Sequence, residues 1–304
     1  MGNDIHTFAD IGIVLSMAYP ALTPQKETYL DALKRIVGDP FFDLVELGPL
    51  PDRSIRGEVR SMVETSGTYA TYGGQGILLS NQLNINSLVE TKRAEAVEAL
   101  KEGIDEAYEL GCVEFQFLSR FYEVGKEQAY LEALITSTED VCTYAKSKGD
   151  MKVVLEVFDH TIDKKSLLGP ASLVRQYAQA ASPKWENFGI MVDCSHIPMI
   201  GETIDEAIDP VVEFIRHVHI GNTLISDPTH PSYGDYHPRF NYPGGENDTA
   251  YLAEFLKKLI DVGYLYPGGK NMLSFEVKPQ AGEDPDLVVA SSKRVLQDAW
   301  RMLQ

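Results

Sequence analysis

The sequence predicts a single (β/α)8 TIM barrel over residues 1–304, with a long lid-like loop after its seventh strand, and three observations predict it. Eight short apolar runs of strand-like composition alternate with eight segments of helical spacing, which in a chain of 304 residues is the pattern of an α/β barrel. Four consecutive strands, the fifth to the eighth, each end on a residue that a hydrophobic strand does not tolerate: Glu156, Asp193, His219 and Glu276. No glycine-rich phosphate loop follows the first strand, which argues against a doubly wound dinucleotide-binding sheet.

The first strand is expected over residues 11–16. The first helix opens at Thr23-Pro24, a capping residue followed by proline at the first helical position, and runs to Val37 ahead of Gly38. The second strand covers 42–48 and the second helix 54–65. A third strand region is expected in two glycine-separated pieces, 68–72 and 76–79. Residues 91–110 form the clearest helix, because Val97, Leu100, Ile104 and Ala107 recur at helical spacing while Glu95, Glu98, Lys101, Glu102 and Asp105 face away. The fourth strand (113–119) leads to a helix at 126–148 that ends at Gly149. Strand five carries Glu156 and is followed by a helix at 166–181. Strand six carries Asp193 and precedes a helix at 204–214, and strand seven carries His219. A helix at 249–262, a last strand carrying Glu276 and a helix at 286–303 complete the series.

With 45 acidic against 27 basic residues the net charge is −18, which argues against nucleic acid and anionic membrane surfaces as partners. Cys112, Cys142 and Cys194 have neither disulfide nor zinc spacing, which fits a reducing cytoplasm. The opening stretch MGNDIHTFAD lacks a basic segment and an apolar core, so no signal peptide is expected. No apolar run approaches the roughly 20 residues needed to span a bilayer.

Strand alternation puts Asp193 on the face of Met191, and His219 on the face of His217. An unpaired carboxylate buried there costs several kcal/mol or takes up a proton, so a cation is expected between Asp193 and His219. Glu156, Asp193, His219 and Glu276 offer three carboxylates and one imidazole. This set suits Mn²⁺, Mg²⁺ or Co²⁺ and does not suit structural zinc. A carbonyl bound to such an ion has an acidified α-proton, the ion stabilises the enediolate, and a nearby carboxylate carries the proton. Two carboxylates on opposite faces permit epimerisation, whereas one serving a single face gives isomerisation or β-elimination.

Other residues carry weaker signals. Glu46 on the second strand is equally a mouth residue or a salt-bridge partner. His217 lies a layer deeper than His219 and reads as a hydrogen-bonded core residue. Lys278 shares a face with Glu276, and the same alternation makes Gln116 a substrate-contact candidate. His160, just past Glu156, is a loop histidine or an added acid/base group. The loop 222–248 carries Tyr233, Tyr236, His237, Arg239, Phe240 and Tyr242, which suit a polar ring, and His237 and Arg239 are its expected substrate contacts. Its other reading is a loop packed on itself or on a neighbouring subunit.

LEVFD with Glu156, VDCSH with Asp193 and His196, HVHIGN with His219 and SFEVK with Glu276 resemble, in order and spacing, the xylose isomerase-like superfamily, from about residue 9 to the end of the chain. The resemblance is strongest to its ketose 3-epimerases. It implies an ion chelating two sugar oxygens, Glu156 and Glu276 as the acid/base pair, and His196 touching a substrate oxygen; His160 has no counterpart there. The loop departs from the epimerases, since its only arginine is Arg239 within GDYHPRF. In that respect the chain is similar to sugar phosphate isomerase/epimerase-like proteins of bacteria and to the large subunit of C-glycoside deglycosidases. The latter implies a lyase that expels an aglycone from a 3-oxo-glycoside, and a small second subunit; otherwise a homo-oligomer is the assembly to consider. The AP endonuclease branch, with more zinc ligands and a basic surface, is disfavoured by the acidity. A non-catalytic sugar- or metal-binding module is the reading from a third class.

Overall fold

The computed structural model describes residues 4–304; the first three residues of the N-terminal stretch lie outside the described residues. Eight strands, β1 (Ala9–Ile13), β2 (Leu44–Leu47), β3 (Tyr69–Gly73), β4 (Glu114–Leu118), β5 (Lys152–Glu156), β6 (Phe188–Asp193), β7 (Ile215–Gly221) and β8 (Asn271–Glu276), pair in parallel in the order β1-β8-β7-β6-β5-β4-β3-β2. Val14 bridges Glu46, and the Asp43 amide donates to Ile11 O at 2.8 Å, so β1 and β2 nearly close the barrel. The barrel helices are α1 (Lys26–Val37), α2 (Arg56–Ser66), α3 (Glu90–Leu110), α4 (Glu127–Lys148), α5 (Ala171–Ala181), α6 (Ile204–Ile208), α7 (Thr249–Asp261) and α8 (Pro285–Arg301). β6 is buried along its whole length, as expected for a parallel strand covered by helices outside and side chains inside.

The register decides which side chains share a level. β6 slips by one residue against β7 between Ile190 and Met191, and this slip sets Asp193 beside His219. At the same end, Glu156 pairs with Leu118 and Met191, and Glu276 with Gly221. All four strand-end residues therefore gather at the C-terminal rim of the barrel, where βα loops surround the mouth.

Five expected elements differ. The first strand spans Ala9–Ile13, and Leu15 and Ser16 already belong to a short helix, Leu15–Ala18, ahead of the barrel helices. The first helix begins at Lys26, because Thr23 is held in a preceding turn by its amide and hydroxyl, both donating to Tyr19 O. Residues 76–79 belong to a short helix, Gln75–Ser80, instead of a strand. The reason lies at Gly74, whose amide donates to Gln116 O at 2.9 Å and where a Cβ would come within 2.5 Å of the Phe115 ring. The backbone leaves the sheet there by pressing against β4. The helix expected from 166 begins only at Ala171, because Leu167 and Leu168 are fully buried over the barrel end and Pro170 caps the helix. The helix expected over 204–214 ends at Ile208, and residues 212–214 form a separate 3-10 turn; Pro210, which has no amide hydrogen, separates them. Among the described residues, no helix is long and apolar enough to cross a membrane.

Candidate active site

A cavity of about 510 Å³ opens at the C-terminal rim, and Glu46, Glu156, His219 and Glu276 line its polar end. Asp193 lies behind them, fully buried. One donor atom from each of Glu156, Asp193, His219 and Glu276 lies within 4.8 Å of the others. His219 Nδ1 is 2.8 Å from Glu276 Oε2 and 3.4 Å from Glu156 Oε1, while its Nε2 is 3.0 Å from Glu46 Oε1. Gln75, on the short helix after β3, donates to Glu156 Oε2 at 2.7 Å. That leaves Glu156 Oε1 buried without a hydrogen-bond partner.

This orphaned oxygen tests the fit of a cation. Three carboxylates converge there, Glu156 and Asp193 buried and Glu276 partly so, and among the described residues histidines are their only ion-pair partners, with no lysine or arginine. Burying like charges is costly unless a cation offsets them. The residues present therefore fit a hard or borderline divalent ion, and Glu156, Asp193, His219 and Glu276 would hold it.

Burial, reinforced by the charge of Glu276, pushes the Glu156 carboxyl up from its usual range. Burial also opposes ionisation of Glu276, but His237 and His219 beside it hold its carboxyl below that range. The same competition is more lopsided at Glu46, where His219 and His217 overcome burial and hold the carboxylate well below its usual range. For His219, burial is outweighed by Glu46, Glu156 and Glu276, so that its pKa lies well above that of a free imidazole.

A second group, Asp193, His196 and His237, also brings its donor atoms within 4.8 Å. His196 Nε2 is 2.9 Å and His237 Nε2 2.6 Å from Asp235 Oδ1, and Asp193 Oδ2 lies 3.8 Å from each ring. His237 Nε2 has no aligned hydrogen-bond partner despite that proximity. Lys164 reaches Asp235 Oδ2 at 2.7 Å and so ties the loop after β5 to the loop after β7.

Of the residues singled out in the sequence, Glu156, His219, Glu276, Gln116 and Lys278 line the cavity. His196, His237, Arg239 and His160 do not. Both ring nitrogens of His196 are occupied, Nδ1 at 2.8 Å from Val157 O and Nε2 by Asp235. His237 is buried behind the site with a left-handed backbone, φ 48°. Arg239 Nε donates to Glu283 Oε1 at 2.8 Å, which turns it toward α8 instead of the mouth. His160 stacks on Tyr122 and makes a 2.6 Å contact with its hydroxyl. The loop 222–248 is tied to the barrel. The Asn222 carboxamide oxygen accepts from the Thr223 and Asn247 amides, and Asn247 Nδ2 donates to Cys194 O and Gly221 O. Of that loop only Asp235 reaches the cavity, and its aromatic residues do not.

Gln75, Lys164 and Asp235 escaped the sequence reading. Asp235 had one available signal, its position two residues before His237 in a loop rich in polar groups. Gln75 had none, since it sits in the glycine-flanked gap between two expected strand pieces.

Fold and site together define a (β/α)8 barrel with a buried carboxylate–histidine cluster at its strand ends. The chain belongs to the xylose isomerase-like TIM barrel family, whose sequence model matches residues 31–299. No curated protein matches the sequence. Among solved structures it is similar to a D-tagatose 3-epimerase-like protein, at 15% identity over 96% of this chain and 97% of that one, with a TM-score of 0.72. It is also similar to 3-keto-D-glucoside 4-epimerase from E. coli, at 15% identity over 95% and 99% of the two chains, with a TM-score of 0.66. A third similar structure is an AP endonuclease, family 2, from Brucella melitensis, at 16% identity over 91% and 96%, with a TM-score of 0.62.

Proposed function

We propose that the protein is a divalent-metal-dependent sugar isomerase or epimerase, with Mn²⁺ the best match to its donors and Mg²⁺ or Co²⁺ as alternatives. The observation that carries this reading is the orphaned Glu156 Oε1 facing His219, Glu276 and Asp193 at the floor of an open cavity. A divalent ion bound there supplies Lewis-acid polarisation of a substrate carbonyl, which acidifies the neighbouring C–H. The chain's own residues do the rest. Glu276, held ionised by His237 and His219, takes the proton from carbon, and Glu156, whose carboxyl is pushed up by burial, returns one. Gln75 orients Glu156, and Gln116 and Lys278 on the cavity wall bind sugar hydroxyls. The similarity to a 3-keto-D-glucoside 4-epimerase supports a 3-oxo sugar or glycoside as substrate. On such a substrate the same proton removal followed by loss of an aglycone gives the lyase alternative.

The test is solvent deuterium incorporation into a panel of ketoses and 3-oxo-glycosides, alongside metal content. We expect exchange in the loaded protein, and loss of both metal and exchange in Asp193→Ala and His219→Ala. Full activity after chelation sinks the reading.

The second group, Asp193, His196 and His237 with Asp235, favours one other reading, a multinuclear metal phosphodiesterase of the AP endonuclease kind. The net charge of −18 speaks against it. Cleavage of abasic duplex DNA at physiological salt, with more than one ion per chain, would reverse the ranking.

A further inference from the structure

Beneath His219 the barrel interior holds ionisable side chains that the proposed chemistry does not use, Glu46 on β2, His217 on β7 and Glu114 on β4, all buried. They form a continuous row. Both carboxylate oxygens of Glu46 face His219 Nε2, at 3.0 and 3.1 Å. His217 Nε2 lies 3.0 Å from Glu46 Oε1, and His217 Nδ1 lies 2.7 Å from Glu114 Oε1. Ser274 Oγ adds a 2.9 Å contact to His217 Nε2. Glu46 itself is fixed where β2 meets the end of β1, at the bridge to Val14 that helps close the barrel.

Both ring nitrogens of His219 face carboxylates, which only accept hydrogen bonds, but a nitrogen that ligates a cation carries no proton. With a cation on the Nδ1 side the proton sits on Nε2, facing Glu46. The other nitrogen, Nδ1, points at Glu156 and Glu276 and is the one left to ligate. We propose that Glu46 is a positioning residue: it holds His219 with its proton on Nε2 and so presents Nδ1 to the cation site. His217, held by Ser274 and packed behind Glu46, fixes the direction of the Glu46 carboxylate. The proposal rests on the cation-site reading above. Glu46, His217 and His219 also converge closely enough to hold an ion themselves. Against that, none of their side-chain atoms is among the buried polar atoms without partners, whereas Glu156 Oε1 is. A carboxylate behind a ligating histidine raises its basicity and fixes its ring, and loss of such a partner weakens metal affinity by about 10- to 100-fold.

Long-range ¹H–¹⁵N correlation spectra of [¹⁵N]histidine-labelled full-length protein loaded with Zn²⁺, a diamagnetic probe, read the arrangement without any substitution. We expect His219 protonated at Nε2 and ligating through Nδ1. In Glu46→Gln the Kd for Co²⁺ should rise about 10- to 100-fold at unchanged stoichiometry, with shifted Co²⁺ absorption bands. Glu46→Asp should recover part of the loss. His219 ligating through Nε2 overturns the proposal. So does a Glu46→Gln variant with wild-type Kd and spectrum, which makes Glu46 a packing residue. A folded Glu46→Gln variant that binds no Co²⁺ at saturation also overturns it, since Glu46 is then a ligand. Wild-type protein that binds neither ion refutes the cation-site reading itself, and the proposal falls with it.

Discussion

Glu156 and Glu276 are chemically the same side chain driven in opposite directions by their neighbours. Glu156 receives a single amide donor, from Gln75, and has one oxygen without a partner, so burial dominates and its carboxyl is pushed up. Glu276 is only partly buried and stands beside His219 and His237, which hold it down. An acid and a base for one proton are thereby separated by environment alone. Glu156→Gln and Glu276→Gln should each retain bound metal while kcat falls by about 10²- to 10⁴-fold, read as the rate of solvent deuterium exchange. His160→Ala should leave kcat and KM unchanged, because its ring is engaged by Tyr122 and by Ser166 O, away from the cavity. A loss of exchange in that variant would put His160 back among the acid/base groups.

At the scale of elements, two loops of the mouth are joined by one ion-pair cluster. Asp159 accepts from the amides of Ile162, Asp163 and Lys164, which folds the loop after β5 and aims Lys164 across to Asp235. Asp235 also stands between His196 and His237. Burial opposes the Asp235 charge, but the two histidines hold its carboxyl well below the usual range. In turn burial lowers His237, yet Glu276 and Asp235 raise it to about 9. The depressed carboxyl adds stability above its unfolded pKa near ~4, lost as pH falls toward the lower folded value. The raised imidazole adds stability in full below its unfolded pKa near ~6.5, lost as pH rises through about 9. Metal-free protein should therefore gain most from this cluster between about pH 4 and 6.5. Asp235→Asn should flatten the alkaline side of the Tm profile; an unchanged profile would show that the cluster does not couple to folding. The turn out of β3 is a separate weak point. Gly74→Ala should cost about 1–3 kcal/mol in urea denaturation, since its Cβ would press on the Phe115 ring and Gln116 O.

For the whole molecule, an ion that binds only the folded chain must stabilise it, by about 2.7 kcal/mol at a free concentration 100 times its Kd. Addition of Mn²⁺ should raise Tm by several degrees, EDTA should reverse the rise, and Asp193→Asn should abolish it. A Tm indifferent to Mn²⁺ and EDTA in wild-type protein would count against the site. The acidity of the chain acts at this scale as well. With a net charge of −18, affinity for duplex DNA at physiological salt should be negligible, measured by fluorescence anisotropy.

The alternation of eight strands with eight helices, and the four strand-end residues Glu156, Asp193, His219 and Glu276, were legible in the chain itself. They were legible because a charged or imidazole side chain ending an apolar run violates the local pattern, and such a violation needs no knowledge of neighbours. His217 could be placed beneath His219 for the same reason, through the two-residue period of a strand. What faces what was decided only by the folded barrel. Glu46 lies 173 positions from His219 in the chain and was evenly balanced between two readings until closure of β1 on β2 set it beneath that ring. The loop 222–248 has the composition of a substrate surface, but its backbone ties turn Arg239 toward Glu283, bury His237 behind Asp193 and leave Asp235 alone on the cavity wall. Composition states which interactions a side chain can make; its direction depends on contacts between segments far apart in sequence, and those exist only once the chain has folded.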